Sequence, residues 1–364
     1  MLHLSLAETR AQEVEQSGVE PTRLTFADYA FASAPLLSAF ARQAPRGAPS
    51  ALAISADSPI AGLAAVSSAR RQDGLIVYDI FLDAFGQSLE ELRAEAKPVR
   101  IDHASRIRRR PLPRLGPGPH HLELPDDGVL AAHLEHWCHF LWVAPLLVPL
   151  LLSRGGRRYR SPGAQSSSVL LGKKVNVHPR AYLEGSVIGD EVEIGSGCVV
   201  SRSFVGAQSR LADLSKLRGS VLGPGAITLV DTNLVEIVSL GGGTLANLLL
   251  RETILGRNVF LTTGVLFQTD ALEGTIGVQH RGEWVDTGRR QLGGCVGHGA
   301  VLGARTIVAP GRALPNRVVV VMRKEEGVQR IPNLPAGTPV CWDRAALVPV
   351  SELNGGRTPE ELLP

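Results

Sequence analysis

Two histidines, a carboxylate and a group of arginines in the second half of the sequence carry the side chains best suited to chemistry. His298 stands between glycines in the run Val296-Gly297-His298-Gly299-Ala300. A neutral imidazole there would take a proton from an amine or hydroxyl near neutral pH. The plainer alternative is a solvent-exposed turn residue. His280 and Glu283 lie inside residues 268–290, a stretch that interrupts the repeat described below. A histidine beside a carboxylate suits a base and its orienting partner, and long loops often carry sites. The alternative is a solvated loop pair. Arg289, Arg290, Arg305 and Arg312, joined by Arg317, offer forked donors that suit phosphate groups. Otherwise they form a charged surface or pair between subunits. Asp231, Asp270 and Asp286 lack ligand spacing, and no His/Cys grouping has it, so no metal is expected.

The elements that would position these groups repeat every six residues. Val296, Leu302, Val308, Leu314 and Val320 are spaced six apart, and Gly297, Gly303, Ala309 and Pro315 follow the first four. Ile188, Ile194 and Val200, then Val205, Leu211 and Leu217, then Leu255, Leu261 and Phe267 repeat the pattern. A fixed short period signals a solenoid. Six residues fit one short strand and one tight turn, three such units closing a triangular coil. The aliphatic residue points inward, and a small residue follows at the corner, where glycine tolerates positive φ. About 18 residues per coil gives roughly eight coils and a prism on the order of 40 Å long. The expected fold is an α/β N-terminal domain followed by an all-β left-handed parallel β-helix.

Composition agrees with a thin, aliphatic core. Aromatics make 5% of the chain, against 39 glycines and 24 prolines, with 44% hydrophobic and 20% charged residues. The net charge of +3 is too small to argue for nucleic acid. Four dispersed cysteines without a CxxC pair read as reduced thiols of a cytoplasmic protein. The predicted units are residues 1–128, an α/β domain; 129–168, a helical connector and linker; 169–322, the β-helix; and 323–364, an extension. Strands are expected at 51–55 and 74–81, helices at 27–42 and 88–96, one or two helices at 126–153, and irregular chain at 106–119 and 154–168. Residues 137–153 lack Asp, Glu, Lys and Arg. They fall short of the ~20 residues of a span and contain Pro145 and Pro149. They read as a buried linker helix, with contact at a membrane surface the lesser alternative.

Residues 277–314 resemble the C-terminal part of the bifunctional sugar-1-phosphate nucleotidylyltransferase and N-acetyltransferase family. The residues that carry this are Gly282, Val285 to Arg290, Leu292, Gly293, Gly297, Gly303, Pro310 and Gly311. Residues 252–259 resemble that family's acid–hydroxyl coil, and 175–189 the start of many hexapeptide-repeat domains. The resemblance implies a homotrimer through the β-helix, with acyl-CoA or acetyl-CoA as co-substrate between prisms. It also implies a sugar or nucleotide-sugar ligand. Arg289, Arg290, Arg305 and Arg312 would then hold CoA phosphates, and His298, His280 or Glu283 would move protons. The family's N-terminal half is a Rossmann-like nucleotidyltransferase with a Gly-rich loop. No such loop occurs in residues 1–130, so this region is either a worn copy or an unrelated domain. The family's catalytic His and Tyr fall here on Ala246 and Leu249, and its Lys after the paired Arg falls on Gln291. The competing reading is therefore a catalytically silent trimeric scaffold or sugar-nucleotide sensor, and the third, which the missing Gly-rich loop disfavours, an active sugar-1-phosphate nucleotidylyltransferase.

Overall fold

The structure is a computed structural model that describes residues 6–102, 107–111, 121–153, 156–162, 168–245, 249–321, 338, 340–343 and 346–349. Much of 106–119 and 154–168, Ala246 and most of the 323–364 extension lie outside the described residues.

The chain opens with α1 (Leu6–Ser17), β1 (Leu24–Phe26), β2 (Ala30–Ala32), α2 (Ala34–Gln43), β3 (Ser50–Ser55), β4 (Arg70–Gln72), β5 (Leu75–Leu82), α3 (Leu89–Glu95) and β6 (Lys97–Arg100). The sheet runs β1-β5-β3-β6, with β4 also on β5. Only β3–β6 is parallel in it; β5 runs antiparallel to β1, β3 and β4. A doubly wound nucleotide-binding sheet is built from parallel strands. Of the two alternatives left open above, this order resembles an unrelated α/β domain more than a worn Rossmann-like copy. The helix expected over 27–42 is shorter than its pattern. Residues 30–32 pair as a strand with β9 (Ala131–His133), and the helix starts after Ser33, with Pro35 in its first turn. Between β6 and β9, β7 (Ile107–Pro111) and β8 (His121–Pro125) pair antiparallel.

The connector is two helices, α4 (Trp137–Val143) and α5 (Val148–Ser153), joined by a 3₁₀ turn, Ala144–Leu147. Pro145 sits in that turn and Pro149 in the first turn of α5, where a missing N–H costs nothing. No described helix is long and apolar enough to cross a membrane. Next comes β10 (Arg157–Tyr159), antiparallel to the first solenoid strand, β11 (Val169–Leu171).

From β11 onward the chain is a left-handed parallel β-helix with three flanks. Among the described residues the first carries nine strands counting β10, the second eight, and the third five plus a separate pair. Inward residues stack in columns, such as Ile188, Val205 and Leu222 on the first flank and Leu183, Val200 and Leu217 on the third. Before the insertion the coil step is 17 residues, not 18, because one side is a residue short of a hexad, and it falls to 16 in the last coil before the insertion. After it the step is 18.

The corners differ from expectation in one respect. The small residue directly after the inward aliphatic does not adopt positive φ. A Cβ at Gly189, Gly206, Gly223 or Gly256 would lie 2.5–2.6 Å from backbone of the next coil, so close approach demands glycine. Positive φ falls two residues later, at Glu191, Gln208, Gly225, Asn258, Gly299 and Arg317 along one edge.

The first flank is not free. Its outward residues Phe204, Val221, Val238 and Ile254 share one apolar core with α4, α5 and the N-terminal domain. Residues 270–291 leave the coil and return to it. Asp270 and Gln291 bridge at the neck, where Gln291 Nε2 donates to Asp270 Oδ1 at 2.7 Å. Beyond the neck is a hairpin of Gly277–His280 and Glu283–Asp286, turning through Arg281 and Gly282 at positive φ.

Candidate functional site

Three segments distant in sequence meet at the joint between the two halves: residues 59–71, the start of α4, and the insert. The hairpin docks on α4. His136 Nε2 donates to the Gln279 carbonyl at 3.1 Å, and its ring meets that of His280 edge-on at 5.4 Å. Arg281 pairs with Glu135 at 3.4 Å, and the Arg289 guanidinium lies 4.0 Å over the Trp142 ring. Arg312 covers Trp284 at 4.3 Å and donates to the Pro310 carbonyl at 3.0 Å.

Beneath this contact lies a buried polar network that the sequence did not single out. The Ser68 N–H donates to Glu135 Oε2 at 2.6 Å, and His133 Nδ1 lies 3.2 Å from Ser68 Oγ. His133 Nε2 accepts the Asp79 N–H at 2.9 Å, so its proton sits on Nδ1, facing Ser68 and Glu135. That orientation makes His133 a donor to Ser68 and not its base. Asp79 takes hydrogen bonds from Tyr29 and Arg93. Burial pushes the Glu135 carboxyl up, but hydrogen bonds from His133 and Ser68 outweigh it and hold its pKa at about 2. His139 Nδ1 accepts the N–H groups of Glu135 and His136, and Nε2 donates to the Ala65 carbonyl at 2.8 Å. Burial brings the His139 pKa down to about 4.

The network fixes the loop through Ala65 and Ser68, and that loop walls a cleft of about 510 Å³. Gly62, Ser67 and Arg71 line one side; Asp286, Thr287 and Arg289 line the other. The second wall is a tight turn, in which Gly288 N–H donates to Asp286 Oδ1 at 2.9 Å and Arg289 N–H to Thr287 Oγ1 at 3.2 Å.

The structure thus separates the residues picked from sequence. Arg289 lines the cleft. Arg290 is half-buried beside it, its carbonyl accepting from Ala271 N–H at 2.9 Å. His280 packs on His136, and Glu283 stands across the hairpin in register with it. Arg312 is committed to Trp284. His298 and Arg305 lie elsewhere, at opposite edges of the second flank.

His298 belongs to a recurring device. At this corner, in several coils, a side chain accepts the backbone N–H of the coil before. Asp190 takes it from Lys173, His298 Nδ1 from Arg257 and Asn316 from His298, at 2.7–2.8 Å, and at the next corner Asp213 takes it from Ser196 at 2.8 Å. With Nδ1 accepting, the neutral ring carries its proton on Nε2. His298 therefore offers solvent a donor, which corrects the expectation of a general base.

No family model matches the chain, and no curated protein matches it. Among solved structures, a polysialic acid O-acetyltransferase aligns at 18% identity. It covers 42% of this chain and 79% of its own, with a TM-score of 0.16.

Proposed function

We propose that the protein is a transferase-like hexapeptide-repeat protein acting on a sugar, with acyl-CoA or acetyl-CoA as donor and a homotrimer as the working form. The observation that carries this is the outer wall of the second flank in the late coils. Phe260 and Val319 are 43% and 61% exposed, with half-buried Val301 between them. His298 stands at the corner where this wall begins and Arg305 at the corner where it ends. An uncovered apolar strip edged by polar donors fits an acyl-pantetheine arm closed in by a neighbouring prism. In this reading His298 Nε2–H polarises the thioester carbonyl. A sugar hydroxyl oxygen bonds to the carbonyl carbon, the C–S bond breaks, and the departing thiolate takes up the hydroxyl proton through solvent.

The silent scaffold or sensor remains the second reading. It is favoured by the structural duty of His298 in the corner ladder and by Leu249 at a position where the resembled family is catalytic. One variant separates the two. His298→Asn keeps a corner acceptor, as Asn316 does, but loses the Nε2 donor. Acetyl transfer from acetyl-CoA to a panel of sugars is expected to fall at least ~100-fold with the unfolding midpoint unchanged. Calorimetry that detects no acetyl-CoA binding to the unaltered protein retires the transferase and leaves the scaffold.

A further inference from the structure

The cleft between residues 59–71 and the turn at 286–289 shares no residue with the late-coil wall. Its volume, about 510 Å³, is in the range of small-ligand sites. One wall contains Val66 at φ 62°, a left-handed backbone that a β-branched residue rarely takes. Strain of this kind persists only where surroundings over-determine it, and it clusters at binding sites. Here Ser68 is held by Glu135 and His133, and Ala65 by His139. On β5, beside this wall, Tyr78 is fully buried. Its hydroxyl has no hydrogen-bond partner among the described residues, although it feels the charge of Arg71. A buried hydroxyl left unpaired costs stability, so this wall is not built for stability alone.

Two opposite charges on opposite walls decide what fits. Arg71 stands on β4, in register with Ile76 of β5, and pairs with no carboxylate among the described residues. Asp286 closes the hairpin opposite Gly277, and its Oδ1 accepts the Gly288 N–H at 2.9 Å. That hydrogen bond holds its carboxyl below the usual range, so it is ionised at neutral pH. No cation lies in ion-pair reach of it among the described residues. Arg289, the other cation of this wall, is engaged with Trp142 and takes no part. Both charges thus sit on paired strands, without an ion pair between them. Much of the remaining lining is small and apolar, with Gly62, Ala64, Ala65 and Val66. Asp286 repels a bare anion and Arg71 a bare cation. A zwitterion satisfies both, since a guanidinium fork matches a carboxylate and a carboxylate accepts from an ammonium. We infer that the cleft binds an aliphatic zwitterion, either a free amino acid or a short peptide with free termini. Its carboxylate lies on Arg71 and its ammonium on Asp286. An extended chain spans ~3.5 Å per residue, so the length that binds best measures the gap between the two charges.

The test is titration of the full chain with leucine, alanyl-leucine and trialanine, and with the N-acetyl form of each, read by calorimetry. At least one of the three zwitterions is expected to bind, and its N-acetyl form at least ~10-fold more weakly. Leucine against the two peptides tells the free amino acid from the peptide. Arg71→Ala, on the exposed end of β4, should weaken binding at least ~10-fold. Asp286→Asn keeps an acceptor for the Gly288 N–H but drops the charge, so the free and acetylated forms should bind it alike. Gly62→Trp is the independent control: a Cβ there meets nothing within 4 Å, so the ring fills the cleft while the fold stands. It should abolish binding without moving the unfolding midpoint. The inference is overturned if no zwitterion binds at millimolar concentration, or if the acetylated form binds the parent as tightly as the free one. It is equally overturned if Asp286→Asn keeps the parent's preference, or if Arg71→Ala and Gly62→Trp both bind as the parent does. None of these outcomes bears on acetyl-CoA binding at the late coils.

Discussion

His139 at the first turn of α4 accepts two backbone N–H groups at Nδ1 and donates at Nε2. Burial disfavours the charged ring and brings its pKa from 6.5 down to about 4, and a proton on Nδ1 would also break both acceptances, so the fold holds the ring neutral. The unfolded chain therefore binds this proton first as pH drops, and stability is lost between about 6.5 and 4. Burial also lowers His136, which acts in the same direction. Glu135, held at about 2, adds stability above its ordinary pKa that is lost below it. Urea unfolding at pH 7.5 and pH 5 should show the protein weaker at pH 5. His139→Asn should flatten that difference, and a profile as steep as the parent's would count against the account. The sequence drew the eye to His298 because it stands between glycines at a corner of the regular repeat, and to His280 because it lies with Glu283 in the stretch that interrupts the repeat. It could not say which way the backbone at the corner faces, and that direction turned His298 from base to donor. His133 and Glu135 went unseen for another reason. Their partners lie 65 and 67 residues away, and no local spacing announces such a meeting.

At the scale of elements, the β-helix was the most legible part, because inward aliphatics recur at short fixed spacing and each coil repeats the same problem. The 17-residue step was visible only as a slip between Val200 and Val205. The role of the corner glycines was not visible at all, since sequence shows that a small residue is wanted but not why. A direct comparison checks the reason found here. Gly189→Ala would put a Cβ 2.6 Å from the Ala207 nitrogen, while Gly62→Ala meets nothing. The first should cost ~2–3 kcal/mol in chemical denaturation and the second less than ~0.5. Equal costs would mean that φ, not proximity, selects glycine there. The connector was read as a buried helix, and α4 and α5 are largely buried. What the apolar run could not reveal was its partner, the outer wall of the first flank.

For the whole molecule, that partnership makes the N-terminal domain part of the solenoid's own surface. Removing residues 1–128 should leave Phe204, Val221, Val238 and Ile254 much less covered. The remaining chain should bind a hydrophobic dye strongly and aggregate, whereas an independent, soluble β-helix would show that the shared core is dispensable. With the first flank taken, a trimer has the second and third to use. Light scattering should give three copies at micromolar concentration, and Phe260→Glu should shift the population toward monomer. A parent that is already a monomer would sink the trimer. The two ends of the prism are also unlike. In the last described coil Val321 is 73% exposed. At the first, β10 lies across β11 in the opposite direction and covers only three residues. A stack of identical coils is a template for endless growth, each copy laying its last rung against the next copy's first. The reversed strand gives that first rung the wrong polarity on one of its three sides, so β10 works as a stopper against fibre formation, and its loss would be felt first as polymerisation.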